Sequence, residues 1–508
     1  MRNHSRLGIA VASVAIASLA LTACGASDAP ANSNEGSSGE VTAPESITWM
    51  AMLHTPTTPE ADGPIATALA EYTGTEINFQ WVPDASKDEK INAALASDSL
   101  ADITSLSNTT NTSVRQALKS GQFWDVEPYL KDYENLSKID EKTIASARVD
   151  GHLYGVPVQK PIARYGVLVR QDWLDNLGLE TPHTIEELSE VAVAFATQDP
   201  DGNGQNDTTG FIDRLESFKL GFKTLAGYFG AGNNFVVEDD KVIPTFQTDE
   251  FKEAMEWYRG LYEQGAINGE FVTMQKQNQQ DAIAQGKGGI IVTGLFEAKN
   301  YMNLATSADP NTPMAWALIN DITFEDVPRR IISDTNGGFG GWLAMSTSEV
   351  KDEAELKGIL AFIDKLLDEE AFALMTNGIE DEHYTIDADG VVTISDQPKW
   401  EQEVQPYNSS RPSDIVTTFK SSTPYVDEGN EKMAENAEFA VVDPSAPLSS
   451  DAFDQSWSTI QQAANDAYNK YMVGQLDMAG YEDAIEKLDG QGLDTIIEEL
   501  SASYAENN

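Results

Sequence analysis

The chain has 508 residues, too many for one ordinary domain, and its 41% hydrophobic content, with 9 Trp, 16 Tyr and 19 Phe, is enough to bury a large core. Its 82 acidic against 33 basic residues give a net charge of −49, a field that repels polyanions and argues against a nucleic-acid partner. The single cysteine, Cys24, excludes an intrachain disulfide, a four-cysteine zinc site and an iron–sulfur cluster.

At the start of the chain, Arg2 and Arg6 precede an apolar run from Leu7 to Leu21, too short for a comfortable membrane span. Leu21-Thr22-Ala23-Cys24 follows, and the whole segment resembles a bacterial lipoprotein signal. That resemblance implies removal of residues 1–23 and diacylation of Cys24, two acyl chains giving stable anchoring where one is marginal. Residues 24–46, rich in Gly, Ser, Pro and Asn, are expected to be a flexible tether.

Ile47–Leu53 is predicted as a buried strand, Gly63–Tyr72 as a helix with Ile65, Leu69 and Tyr72 on one face, and Glu76–Val82 as an alternating strand. A helix over Lys87–Ser97 and a third strand over Asp102–Leu106 follow, then a helix over Val114–Ser120. Strands alternating with helices predict a parallel α/β sheet, whose ligands bind at the carboxyl ends of the strands. Asp150–Val158 leads into an extended run, Tyr165–Arg170 is a strand, and Asp172–Gly178 is a helix closed by glycine. Thr184 and Glu187 fit a capping box, Phe251–Gly265 is amphipathic, and Gly286–Gly294 reads as a loop and strand. Asp334–Trp342 has four glycines in nine residues, without the spacing of a dinucleotide loop, so it either lets backbone approach a ligand or bends where the chain crosses between lobes. After Asp352 the chain reads as mostly helical.

Lys90–Ile103, Gly151–Pro157, Val169–Leu179, Leu261–Ile267, Gly378–Tyr384 and the stretch from Tyr471 to Tyr504 follow one another in an order that carries a family likeness. Together they resemble the family 1 extracellular solute-binding proteins of ABC importers, nearest the large lipoproteins that include the alginate-oligosaccharide receptors and the LipO-type proteins. The resemblance implies a two-lobed, periplasmic-binding-protein-like α/β fold with hinge crossings and added C-terminal helices. The expected division is 47–160 for the N-terminal lobe, with a returning segment near 300–350, and 161–508 for the C-terminal lobe and helical extension. It further implies a monomeric receptor on the extracellular face of the cell membrane, touching the membrane through its lipid anchor only. Such a receptor captures an oligosaccharide between the lobes and hands it to ABC permease subunits without catalysis. A secreted glycoside hydrolase and a receptor for peptides or another solute are the alternatives; hydrolysis would need two placed carboxylates, and no Gly-x-Ser-x-Gly, His-Glu-x-x-His or P-loop is present.

The sharpest local motif is Asp199-Pro-Asp-Gly-Asn-Gly-Gln-Asn-Asp207. Oxygens from Asp199, Asp201, Asn203, the Gln205 carbonyl and Asp207 fall at positions 1, 3, 5, 7 and 9 of an EF-hand-type Ca²⁺ loop, with Gly204 at the sharp turn. Position 12 is Gly210 in place of the bidentate Glu. The alginate-type receptors close their loop with an acid directly after it, where this chain has Thr208, so Asp213 and Glu216 are candidate substitutes. The expected Ca²⁺ is structural and need not touch the sugar.

A sugar site combines aromatic faces with polar groups. His54 and Asn108 lie beyond predicted strand ends, Arg164 and Tyr165 enter a strand, and Phe296 and Glu297 leave one. Asn336 and Trp342 belong to the glycine-rich stretch, His383 and Tyr384 to a family-like segment. These ten are the candidate ligand-binding residues.

Overall fold

The computed structural model describes residues 43–507, apart from 56, 109, 110 and 417. Cys24, the signal segment and the tether up to residue 42 lie outside the described residues. The strands are β1 (Ser46–Leu53), β2 (Glu76–Pro83), β3 (Ile103–Leu106), β4 (Val156–Gln159), β5 (Tyr165–Arg170) and β6 (Thr209–Phe211). They continue with β7 (Phe235–Glu238), β8 (Lys241–Pro244), β9 (Gly288–Gly294), β10 (Trp316–Ile319), β11 (Ile331–Ile332) and β12 (Phe339–Ala344).

β1 is apolar from Trp49 to Leu53 because it is central: β2 and β3 flank it in parallel, Trp49 pairing with Phe79 on one side and Ile103 on the other. β2 alternates because it is the edge of this first sheet, ordered β2-β1-β3-β12-β4. Pro64 opens the following helix (Pro64–Thr73) and Gly74, at φ 75°, closes it in the left-handed region. The parallel reading holds for β1, β2 and β3, whereas β12 enters antiparallel to both β3 and β4.

The second sheet has the order β10-β5-β9-β6. β5 is buried on both faces, Val167 and Val169 in one core and Leu168 in another. The helix Ile185–Thr197 begins with the capping box expected at Thr184 and Glu187. Helices Asp451–Met472, Met478–Glu486 and Leu493–Asn507 add a C-terminal layer, burying Trp457, Tyr468, Tyr481 and Leu500 in the second core. Residues 353–407, expected with the C-terminal lobe, pack instead on the first: Leu356, Leu360, Ile363, Met375 and Tyr407 join the core of β1 and β3. This stretch is also less helical than its sequence suggests, because Tyr384–Ile386 and Val391–Ile394 form a hairpin.

The chain passes between the two sheets three times, at 160–164, 320–338 and 411–425. Hydrogen bonds tie the crossings into one ribbon. Thr335 Oγ1 donates to the carbonyls of Pro161 (2.9 Å) and Ile162 (2.8 Å), Lys160 N to Gly338 O (2.7 Å), and Asp414 N to Gln159 O (2.9 Å). This explains the glycine-rich stretch: Gly338, at φ 94°, lies so close to the first crossing that a Cβ would stand 2.9 Å from the Lys160 carbonyl.

A second tie lies apart from the ribbon. The helix Thr112–Lys119 belongs to the first core through Val114 and Leu118. Its Arg115, 8% exposed, forms an ion pair with Asp454 at the start of the helix Asp451–Met472. Lys119 reaches the same carboxylate at 2.5 Å and Asp150 at 3.2 Å, and Ser449 Oγ donates to Asp150 at 2.6 Å.

Candidate functional site

The crossings carry charge at the junction of the lobes. Arg164 on the first crossing donates its Nε and Nη2 to Asp334 on the second, at 2.8 and 2.7 Å, and its backbone N–H also reaches that carboxylate at 2.8 Å. Arg411 on the third pairs with Asp414 at 2.5 Å, and Lys160 stands 3.6 Å from the other oxygen of Asp414. The Lys160 side chain is 21% exposed. Burial pushes its ammonium pKa down, Asp414 opposes this, and Arg411 and Arg164 push it down further.

From the first lobe, His54 follows β1 and Asp84 follows β2, their side chains 3.8 Å apart. Burial holds the His54 imidazole below its ordinary range; Asp84 opposes this, and Lys87, Lys160 and Lys276 reinforce it. Burial alone would raise the Asp84 carboxyl, but Lys87 at 2.8 Å outweighs it and holds the group low. Cations of the first crossing and of the second lobe thus both act on His54.

From the second lobe come Tyr165, opening β5, and the turn after β9. Glu297 accepts from Lys276 at 3.0 Å and from Asn300 at 2.7 Å. Phe296 lies beneath the Arg164 guanidinium, 5.3 Å from ring centroid to Cζ, a cation–π arrangement that leaves an aromatic surface beside charged groups. Burial, with Asp334 second, pushes the Tyr165 hydroxyl up to about 12, so it stays a neutral donor.

The structure thus gathers His54, Arg164, Tyr165, Phe296 and Glu297. Asn108 donates to the Asp88 carboxylate at 3.0 Å and ties the loop after β3 to the helix Lys87–Ser97. Asn336, at φ 48°, accepts from the backbone N–H of Asp443 and braces the crossing. Trp342 is not a ligand residue: 1% exposed, it packs in the first core and donates its indole N–H to the Ala147 carbonyl. His383 is likewise removed from the cleft, 0% exposed, accepting from Ile379 N–H at Nδ1 and bonding Glu403 at Nε2. Tyr384 pairs with Ile394 in the hairpin. Lys160, Lys276, Lys299, Asp334, Arg411 and Asp414 escaped the sequence reading. The available signal was the scarcity of cations in so acidic a chain, which makes those near strand ends and crossings worth weighing.

The loop Asp199–Asp207 folds about its own oxygens. Asn203 N–H and Gly204 N–H donate to Asp199, the Asn203 amide reaches Asp201 (2.7 Å) and Asp207 (3.2 Å), and Lys287 Nζ stands 2.6 Å from Asp207. Burial raises the Asp201 carboxyl and Asp199 and Asp207 add to the effect, the strain of clustered carboxylates that a divalent cation relieves. Three carboxylates, the Asn203 amide and the Gln205 carbonyl make a donor set suited to Ca²⁺.

The expected closing residues are engaged with other partners. The Thr208 hydroxyl donates outside the loop to the Phe195 carbonyl, Asp213 is buried against Ser217 and Tyr258, and Glu216 pairs with Arg214. Position 12 cannot carry an acid, because Gly210 sits in β6 where a Cβ would lie 2.5 Å from the Ala192 carbonyl and 2.7 Å from that of Ala266. Gly210→Ala is expected to destabilise the protein by about 1–3 kcal/mol, read as a lower urea midpoint; an unchanged midpoint would mean that β6 shifts freely from its neighbours.

The family model for bacterial extracellular solute-binding proteins matches residues 55–371. The polygalacturonan/rhamnogalacturonan-binding protein YtcQ of Bacillus subtilis (strain 168) is 34% identical over 460 residues, 90% of this chain and 91% of that protein. Lipoprotein LipO of the same organism is 31% identical over 497 residues, 96% of this chain and 97% of its own. The solved structure of an EF-hand mutant of the S. pneumoniae ABC-transporter substrate-binding protein FusA, in complex with fructo-nystose, superposes with a TM-score of 0.64 at 20% identity, covering 91% of this chain and 99% of that one. At that identity the likeness establishes the two-domain α/β fold. With a family match over more than half its length and relatives above 30% identity along nearly all of it, the chain belongs to the bacterial extracellular solute-binding proteins.

Proposed function

We propose that this member of the family captures an oligosaccharide between its lobes and delivers it to the permease subunits of an ABC importer. The carrying observation is the grouping at the junction of the lobes: Arg164 and Asp334 on two of the crossings stand with Tyr165, Phe296 and Glu297 of the second lobe, an aromatic face beside hydrogen-bonding groups. The names of YtcQ and FusA support a saccharide ligand. Neighbouring cations hold the Asp84 and Asp414 carboxyls low, so neither has the raised pKa of a glycosidase's general acid. The lipoprotein-like segment ending at Cys24 and the name of LipO support tethering at the extracellular face of the membrane through a lipid anchor.

The protein lacking residues 1–24 should melt higher in the presence of its sugar, by the equivalent of about 2.7 kcal/mol at 100 times the dissociation constant. Incubation should leave the sugar intact. Released product would replace the receptor by a hydrolase, and a response confined to peptides would replace the sugar.

The loop Asp199–Asp207 is proposed to hold a structural Ca²⁺ through Asp199, Asp201, Asn203, Gln205 and Asp207. β9 runs from Gly288, paired with Thr209 beside the loop, to Gly294 at the cleft, so about 20 Å of strand separates the ion from the sugar. EDTA should lower the melting temperature and added Ca²⁺ should restore it, while Asp201→Asn should blunt both responses. A melting temperature indifferent to EDTA would reduce the loop to a turn closed by Lys287.

A further inference from the structure

An asparagine followed by glycine is chemically fragile, because the glycine nitrogen carries no side chain to obstruct it as it attacks the asparagine amide carbon. The chain has four such pairs, beginning at Asn203, Asn268, Asn336 and Asn377. The surroundings hold three of them inert. Asn268 is buried, and its amide bonds the Asp213 backbone through both its oxygen and its nitrogen. Gly337 N–H donates to Ser333 Oγ at 2.7 Å, while Asn336 accepts from the Asp443 N–H. Asn377 is buried, and Gly378 N–H is engaged by the carbonyls of Ala373 and Leu374.

Asn203 and Gly204, in the loop Asp199–Asp207, are both exposed. Their hydrogen bonds are those a ring closure needs. Asn203 Oδ1 accepts from Gln205 N–H at 2.7 Å, which closes a ring through the Gly204 nitrogen and folds the side chain back over it. Gly204 N–H, the nucleophile, donates to Asp199 Oδ2 at 2.9 Å. Asn203 Nδ2, the leaving group, donates to Asp201 Oδ2 at 2.7 Å. A Cβ at Gly204 would meet nothing within 4 Å, so the backbone has room to turn.

We infer that Asn203 is a self-modifying site, deamidating through a cyclic imide with Asp199 as base and Asp201 as acid, and that Ca²⁺ in the loop protects it. The Gly204 nitrogen bonds to Asn203 Cγ as its proton passes to Asp199. The Cγ–Nδ2 bond then breaks, and Nδ2 leaves as ammonia with a proton from Asp201. Partial burial and the acids beside it raise the Asp201 carboxyl, which favours the protonated form this step uses. Water opens the imide at the side-chain carbonyl to give aspartate, or at the main-chain carbonyl to give isoaspartate, and solvent returns both carboxyls to their starting states. One water enters and one ammonia leaves. Aspartate keeps the acid-or-amide pattern at position 5 of the loop, whereas isoaspartate lengthens the backbone by one carbon and spoils the ligand spacing. The protection rests on the Ca²⁺ reading above: an ion held by Asp199 and Asp201 takes away both the base and the acid.

The test is peptide mass spectrometry of the protein lacking residues 1–24, aged in mildly alkaline buffer with EDTA or with Ca²⁺, the melting temperature being read on the same samples. In EDTA, Asn203 should convert to aspartate and isoaspartate at least about tenfold faster than Asn268, Asn336 and Asn377, and Ca²⁺ should slow it by about the same factor. Asp199→Asn should slow it about tenfold in EDTA, where no ion is at stake, and intact Asn268, Asn336 and Asn377 report that the variant keeps its fold. Conversion at Asn203 no faster than at the other three, or unaltered by Asp199→Asn, overturns the site. Equal conversion with and without Ca²⁺, in samples whose melting temperature Ca²⁺ raises, overturns the protection alone. A melting temperature indifferent to Ca²⁺ overturns the ion reading and the protection with it, and the rate in EDTA then decides the site by itself.

Discussion

Asp454→Ala should destabilise the protein by about 3–5 kcal/mol, a loss visible in thermal or urea unfolding. The carboxylate is buried and serves two cations from the other lobe, Arg115 and Lys119, while its own backbone carbonyl accepts from Thr112 Oγ1 at 2.9 Å. Removing it leaves the Arg115 guanidinium buried without a counter-charge, which costs more than the pair contributes. The double variant Arg115→Met with Asp454→Leu should therefore recover much of the loss, since it removes both charges and keeps apolar volume. A single variant as stable as the parent would mean that water reaches Arg115.

The pH dependence of this tie has a definite sign. Burial works against the Lys119 charge, but Asp454 and Asp150 outweigh it and raise its pKa, so its contribution is complete below the unfolded value and is lost as pH rises through the higher folded one. Burial would raise Asp150, but Ser449 and Lys119 hold it low, so its contribution is complete above the unfolded value and disappears as pH falls through the lower folded one. The tie thus holds from about pH 4 to about pH 10.

Arg164→Ala should weaken sugar binding about 100-fold, equivalent to about 2.7 kcal/mol. One side chain joins the first crossing to the second through Asp334 and overlies Phe296 from the other lobe. Its loss strands Asp334, only 6% exposed on its side chain, with a backbone N–H as its remaining partner from this residue, and turns a neutral edge of the cleft negative. Arg164→Lys keeps the charge without the planar fork and should fall between the two. Calorimetry on the folded variant measures the effect directly, and parental affinity in Arg164→Ala would move the sugar away from the crossings.

Local elements were legible because their signals are local. The apolar run of β1, the alternation of β2 and the box at Thr184 and Glu187 each express the environment of a few neighbouring residues. The packing of 353–407 on the first lobe was not, since it follows from β12 lying between β3 and β4, a pairing across 180 or more residues that no short pattern encodes. The same holds at the cleft. Arg164 with Asp334 and Lys160 with Asp414 are partners through the crossings alone. Trp342 shows the converse: an aromatic side chain in a glycine-rich stretch has the right chemistry for a sugar, but chemistry does not reveal which face of the strand meets solvent.

The tie between Arg115 and Asp454 changes what movement the lobes can make. Bodies joined by one ribbon can tilt, twist and splay, like a book held by a loose spine. Bodies pinned at a second place keep one freedom, rotation about the line through both pins, as a door swings on two hinges. Opening that preserves the tie follows a single arc, so every approach of Lys299 and Phe296 toward His54 retraces the same path, and the entropy surrendered when a ligand shuts the cleft is that of one coordinate rather than three.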